Sequence, residues 1–243
     1  MISIIIPAYN EEKIIGVLLT SLAKQDCAKD LEVIVADAFS KDKTREVVKS
    51  YGHNFHSLIV VDGGMPGPGR NNGARASSGE IIFFIDADLY IEETDFISKS
   101  VTYFKEHNFG IAPTYLRPIS PRLIDKFLVG FYDFVLYLSK YIVRPLGAMC
   151  IMCTREAFLG AGGYPEDVIM NEDHDFILYT SKKFKYGVVP FYIQFSVRRL
   201  DKEGRPGLAW KYTQATYHNV IHGPIRKPIF EYEFGNHPEC KDK

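Results

Sequence analysis

Glu80-Ile-Ile-Phe-Phe-Ile-Asp86-Ala-Asp88 is the stretch on which the fold turns. Its apolar residues run on without polar alternation, the pattern of a strand buried on both faces. It closes on two carboxylates at i and i+2, where the chain should leave the sheet. Working outward, further β-rich runs occupy residues 2–6, 31–36 and 57–61, with 80–85 as the fourth. Segments 12–24, 42–51 and 70–77 lie between them with helical apolar spacing. Strands alternating with helices predict βαβ crossovers, hence an α/β domain with a mostly parallel central sheet and helices on both faces. Such sheets bind ligands beyond the carboxyl ends of their strands. Those ends are rich in carboxylates: Asp37, Asp62, Asp86 and Asp88.

The second half predicts strands over 148–154 and 187–197 and helices over 122–144, 171–184 and 208–220. The Pro/Gly-rich stretch 63–69 reads as a loop, and no linker composition divides the chain. The expectation is one domain over 1–243: a nucleotide-binding half (1–90), an acceptor-binding half (91–220) and a tail (221–243).

The 243 residues carry a net charge of −1, which offers no global field for nucleic acid. Four cysteines, Cys27, Cys150, Cys153 and Cys240, are too few and irregular for a disulfide scaffold. Cys150 and Cys153 form a CxxC, but within a strand that odd spacing sends the two thiols to opposite faces. The opening Met-Ile-Ser-Ile-Ile-Ile-Pro reads as a first strand and not a signal peptide. No apolar run reaches the length of a membrane span. A reduced, cytoplasmic protein is expected.

Several groups could carry chemistry. Asp86 and Asp88 suit a shared magnesium or manganese ion, which prefers hard oxygens, or they cap the helix that follows. Gly67-Pro-Gly-Arg70-Asn-Asn-Gly73 opens a helix whose backbone N–H groups can face an anion. Glu172-Asp173 at a helix start supplies a general base, with His174 and Asp175 as alternatives, or merely complements the helix dipole. Arg198, Arg199 and Arg205 suit a diphosphate. His218 and His222, four apart on one helical face, are a possible ligand pair for a metal.

Taken in order, these pieces resemble the inverting glycosyltransferases of family 2, which have the Rossmann-like GT-A fold. The carriers are Ile-Ile-Pro7-Ala8-Tyr9-Asn-Glu11-Glu, Val35-Ala-Asp37-Ala-Phe-Ser40, Gly69-Arg70-Asn71-Asn-Gly73, Asp86-Ala-Asp88 and Gly162-Gly-Tyr-Pro followed by Glu172-Asp173. The resemblance implies that Pro7, Ala8, Tyr9 and Glu11 line base and ribose and that Asp37 contacts the base. Asp86 would touch the nucleoside; Arg70, from the helix-opening loop, and Arg199, from the arginine cluster, are added to the nucleotide site on their own chemistry. Asp88 would bind the Mn2+ or Mg2+ ion and Asp173 would deprotonate the acceptor; the i, i+4 spacing with His222, and not the resemblance, offers His218 as a further metal ligand. Relatives commonly carry an acidic residue and a glycine after Asp37, where this chain has Ala38-Phe39. The pattern is similar to transferases acting on polyprenyl-linked acceptors, which favours GDP-mannose over a UDP-sugar and a lipid-linked or glycan acceptor. The competing readings are a UDP-sugar glucosyl- or N-acetylglucosaminyltransferase, a sugar-phosphate nucleotidyltransferase and a non-catalytic nucleotide-binding module.

Residues 122–144 show a narrow polar stripe (Arg122, Lys126, Asp133, Lys140, Arg144) against a broad apolar arc that includes Phe127, Phe131, Phe134 and Ile142. That arc is wider than a core-facing helix needs. The expectation is peripheral contact with the cytoplasmic face of a membrane, or a homodimer.

Overall fold

The computed structural model of the protein describes residues 1–141 and 144–230. Ile142, Cys240 and residues 231–243 of the expected tail lie outside the described residues. In chain order the strands are β1 (Ile2–Ala8), β2 (Leu31–Asp37), β3 (Ser57–Asp62), β4 (Ile81–Ile85), β5 (Leu89–Tyr90), β6 (Ile111–Ile119), β7 (Cys150–Thr154) and β8 (Val189–Ser196). The helices are α1 (Ile15–Ala23), α2 (Thr44–Ser50), α3 (Pro66–Ala76), α4 (Phe96–Glu106), α5 (Leu123–Ser139), α6 (Arg155–Ala161), α7 (Glu172–Thr180), α8 (Arg198–Glu203) and α9 (Arg205–His222).

The strands join in the order β3-β2-β1-β4-β7-β6-β8-β5. The pairs among β1 to β4 are parallel, as is β6 with β8, whereas β7 runs antiparallel to β4 and β6. β5 closes the far edge, antiparallel to β8. Yet β5 begins only four residues after β4 ends, and four residues reach at most about 14 Å. The far edge must therefore curl back to the end of β4, with Asp86-Ala-Asp88 spanning the seam.

Two apolar clusters cover the two faces. One gathers Leu18, Leu19 and Leu22 of α1, Val48 of α2 and Phe96 and Phe104 of α4 on Ile4, Ile6 and Phe83. The other gathers Ala74 of α3, Phe158 of α6 and Phe176 of α7 on Ile5, Ile82 and Phe84. Alternate residues of β1 and β4 thus serve opposite cores, which is why these strands are apolar throughout. Cys150 and Cys153 divide between the two clusters, as their spacing predicts, and burial pushes the Cys150 thiol up to about 12. The 63–69 loop is shorter than expected because Pro66 starts α3, where its missing N–H costs nothing. α3 lies close on β1 at Gly73, where a Cβ would sit 2.4 Å from Ile5 Cγ2.

α5 corrects the 122–144 helix in extent and in orientation. It ends at Ser139, and Arg144 lies beyond it. Asp133, expected on a solvated polar stripe, is buried and accepts the Leu116 N–H at 3.1 Å. Burial raises its carboxyl to about 7. In the unfolded chain that carboxyl ionises near its ordinary value of 3.8. Between these values the unfolded state binds fewer protons, so stability should fall as pH rises from about 4 to about 7 and then level off. Asp133→Asn should abolish this slope and stabilise the protein at pH 8 by on the order of 1–3 kcal/mol. Melting midpoints measured from pH 4 to 8 check it, and an unchanged slope in the variant would contradict the assignment.

Candidate active site

The parallel register sets Ala8 beside Asp37 and Asp37 beside Asp62, so the ends of β1, β2 and β3 form one rim. Asp86 follows directly from β4. Like charges crowded on a rim repel unless something compensates, and here two arginines do. Arg45 of α2 donates from Nε to Asp37 Oδ2 at 2.5 Å and from Nη2 to Asp62 Oδ1 at 2.9 Å. Arg70 of α3, almost wholly buried, donates from Nη2 to Asp86 Oδ1 at 2.6 Å and from Nη1 to Glu172 Oε1 at 2.5 Å. Two carboxylates flanking one guanidinium hold it firmly protonated, well above its ordinary range despite burial. Asp86 is raised to about 6 by burial, with Asp88 and Glu172 adding to the rise and Arg70 opposing it.

The loop after β1 and the loop after β2 are stitched together. Asn10 N donates to Ser40 Oγ at 2.8 Å, Glu11 N to Thr44 Oγ1 at 2.8 Å and Glu12 N to Asp42 Oδ2 at 3.1 Å. In return Lys41 N donates to Asn10 Oδ1 at 2.8 Å and Lys43 N to Glu12 Oε2 at 2.9 Å. Pro7, Ala8, Tyr9 and Glu11 therefore sit on a braced segment, and Pro7, Tyr9 and Glu11 keep partial exposure. Asp37 is fully buried and already accepts from Ser40 N and Ser40 Oγ besides Arg45. Phe39, in contrast, is 65% exposed at the tip of that loop, with φ +59°.

A second brace brings in the distant half. Tyr164 N donates to Asn71 Oδ1 at 2.8 Å, while Asn71 Nδ2 donates to Tyr164 O at 2.9 Å and Glu166 Oε1 at 3.0 Å. This ties α3 to the loop leading into α7. Arg70 and Asn71, adjacent in sequence, thereby bring the first turn of α7 to the rim. Of that turn, Glu172 is committed to Arg70, His174 Nδ1 accepts the Gly147 N–H at 2.9 Å and Asp175 bonds Asn219 Nδ2 at 3.2 Å. Asp173 lies against Gly147, where a Cβ would stand 3.1 Å from its Oδ2. The Gly147 carbonyl in turn accepts the Tyr132 hydroxyl from α5.

The profile of glycosyl transferase family 2 matches residues 3–129, just over half of the chain. The chain belongs to glycosyl transferase family 2. Its relatives include the poly(ribitol-phosphate) β-N-acetylglucosaminyltransferase TarS of Staphylococcus aureus, 34% identical over 124 residues. That match covers 49% of this chain and 22% of TarS. The poly(ribitol-phosphate) β-glucosyltransferase of Bacillus spizizenii is 32% identical over 130 residues, covering 51% of this chain and 20% of the relative. The family 2 chain thus matches only about a fifth of the length of either protein. The crystal structure of TarS 1–349 with UDP-GlcNAc has a TM-score of 0.67 at 25% identity, over 80% of this chain and 58% of that one. The fold also matches the Pyrobaculum calidifontis mannosyltransferase PcManGT, solved with GDP-Man and Mn2+. Here the TM-score is 0.70 at 23% identity, over 91% of this chain and 62% of the other. The single α/β domain with a curled, mostly parallel sheet is therefore that of the GT-A glycosyltransferases.

Not every expected site residue of this family 2 chain is gathered at the rim. Asp86, Asp88, Arg70 and the Glu172-Asp173 pair come together through the seam and Arg70. Among the described residues no group of three or more His, Cys, Asp or Glu is placed to hold an ion, and His218 lies on α9. Its ring lies 5.2 Å from that of His222, tilted by 53°, and its Nδ1 is buried without a hydrogen-bond partner. Arg199 pairs with Glu203 at 3.4 Å. Arg205, expected near a diphosphate, is instead committed to Asp125 and Asp201. Sequence reading did not single out Arg45, nor Asn71 as a brace. Their partners lie 8 to 95 residues away, at separations that no local periodicity signals.

Proposed function

We propose that this chain transfers a hexosyl group from a nucleoside-diphosphate sugar to an acceptor hydroxyl with inversion, assisted by Mn2+ or Mg2+. The observation that carries the reading is the double ion pair of Arg70. It joins Asp86, at the expected donor end, to Glu172, the neighbour of the expected base, which supports reading the two halves as one site. Pro7, Ala8, Tyr9, Glu11, Asp37, Arg70, Asp86 and Arg199 form the nucleotide site in this reading.

Asp88, half-buried at the seam, and Asp86 are hard oxygen donors. Magnesium and manganese commonly need only one or two carboxylates beside substrate phosphates and water, so the pair fits such an ion. The ion would offset charge gathering on the departing diphosphate. Asp173 takes the proton from the acceptor hydroxyl as that oxygen bonds the anomeric carbon. The bond to the diphosphate oxygen breaks on the opposite side, which inverts the centre. Buried Arg70 keeps Asp86 and Glu172 from repelling each other while the donor is held.

GDP-mannose is the donor favoured by the resemblance to polyprenol-pathway enzymes. The relatives named for N-acetylglucosaminyl and glucosyl transfer move the preference to a UDP-sugar. The acceptor in this reading is a glycan or lipid-linked hydroxyl. A melting panel of UDP-glucose, UDP-GlcNAc and GDP-mannose, each with manganese, separates the donors. A ligand at a hundred times its Kd stabilises the folded state by about 2.7 kcal/mol. One nucleotide class should raise the midpoint only when manganese is present. No shift with any of the three would remove the donor assignment.

A further inference from the structure

α5 is amphipathic, but it is mounted inside out. Its two carboxylates face inward, Asp125 fully buried on Arg205 (2.7 and 2.8 Å) and Asp133 on the Leu116 N–H. Leu136 is buried in the core, but most of the helix's apolar side chains face outward: Leu123, Phe127, Phe131, Phe134 and the adjoining Tyr141 are between 57% and 81% exposed. Rotating the helix to hide them would break both inward contacts, so the orientation is locked.

α9 lies alongside. Arg205 at its start holds Asp125 at the start of α5, and Arg144, past the end of α5, donates from Nη2 to Asn219 O at 3.0 Å near the end of α9. α9 adds Trp210, Tyr217, Val220 and Ile221, each more than half exposed. More than half of the exposed large apolar side chains among the described residues lie on these two neighbouring segments.

Charge singles out the occupant. α9 contains no aspartate or glutamate and both carboxylates of α5 are buried, so the charges left accessible at the flank of α5 are cationic: Lys126 is exposed and Lys140, just past its end, is half-buried. The Lys140 ammonium lies over the rings of Tyr137 and Tyr141, 3.6 and 4.9 Å from their centroids. Leucine and phenylalanine flanked by tyrosine, tryptophan and lysine is the composition that settles at the boundary between acyl chains and headgroups. No helix of the described residues is long and apolar enough to cross a membrane, so the contact would be made in the interfacial plane. The surface also connects with the site: Tyr132, on the inner side of α5, bonds the carbonyl of Gly147, whose backbone abuts Asp173.

We propose that the outer faces of α5 and α9 together dock on an anionic lipid bilayer, with Phe127, Phe131 and Trp210 entering the acyl boundary and Lys126 and Lys140 meeting the headgroups. The inference rests on the glycosyltransferase reading only for its purpose, which is to hold Asp173 within reach of an acceptor displayed at that surface.

Trp210 is the only tryptophan of the sequence, so its emission reports on α9 without any substitution. With vesicles of phosphatidylcholine and phosphatidylglycerol in equal parts, its emission should shift to the blue and the protein should co-sediment. Both effects should weaken with added salt and with phosphatidylcholine alone. Phe131→Glu with Phe134→Glu should lower the bound fraction about tenfold or more while the manganese-dependent melting shift with donor persists. Lys126→Glu with Lys140→Glu should reduce binding to the mixed vesicles only. No blue shift and no co-sedimentation of the unmodified chain would overturn the proposal, as would undiminished binding of the phenylalanine variant. So would a light-scattering mass that falls from dimer to monomer in that variant without vesicle binding in the unmodified chain, which would make a second copy the occupant. Loss of the donor-induced melting shift in the unmodified chain would count against the glycosyltransferase reading and leave the vesicle result standing.

Discussion

Asp173→Asn is expected to bind the donor with unchanged affinity and to lose transfer by about 10²–10⁴-fold, the usual contribution of a positioned general base. Among residues 172–175 the structure commits the other candidates elsewhere. Glu172 is held by Arg70, His174 by the Gly147 N–H and Asp175 by Asn219. A base must offer a lone pair to the incoming hydroxyl, and a carboxylate neutralised by a guanidinium is a weak one. Glu172→Gln should therefore cost transfer less than Asp173→Asn, and should act by loosening Arg70. Single-turnover transfer rates and donor affinities, measured side by side, decide between them. A larger loss of turnover in Glu172→Gln, with donor affinity intact in both variants, would move the base to Glu172.

Asp88→Asn should remove the manganese dependence of donor binding while the melting midpoint of the free protein stays close to that of the parent. Even outer-shell partners of a metal site commonly cost 10–100-fold in affinity, so loss of a carboxylate ligand should weaken the donor by at least about 100-fold with manganese present. Titration calorimetry with and without the ion reads this directly. Asp86→Asn is the informative contrast, because Asp86 also holds Arg70 and its loss should disturb α7 as well as the ion. Undiminished manganese-dependent affinity in Asp88→Asn would exclude Asp88 as a ligand.

The first four strands were legible because each is a short apolar run ending at the same carboxylate-rich rim, and each was placed within a residue or two of its observed bounds. β6 was not legible, and Pro113 and Pro118 are the reason. Proline argues against an internal strand, but β6 pairs antiparallel with β7 through 111–113 and parallel with β8 through 114–119. A register irregularity falls between Thr114 and Tyr115, at the change of partner. α4 carried a readable signal in Phe96, Ile97, Val101 and Phe104. α6 did too: Thr154 caps its start by accepting from Ala157 N, and Gly162 closes it with φ +83°. For the site, residue types at strand ends were readable, whereas their pairing was not. Nothing local in the sequence says that Arg70 faces both Asp86 and Glu172, 16 and 102 residues away. The same holds for α5. Its breadth of apolar surface was visible, but which side turns outward depends on Arg205 and Leu116, and only the folded chain brings these to Asp125 and Asp133.

The seam between β4 and β5 gives the spacing of Asp86 and Asp88 a mechanical meaning. Three residues bridge the last strand of the parallel set and the strand that closes the curled sheet, so the tripeptide acts as a buckle whose length is fixed at both ends. Inserting one residue would slide β5 along β8 by one position. Because side chains alternate between faces, Leu89, now 1% exposed, would swing out of the core. The interval between the carboxylates is thus gauged by closure of the sheet as well as by the ion they would share, and length variation at this point is costly before any ligand arrives.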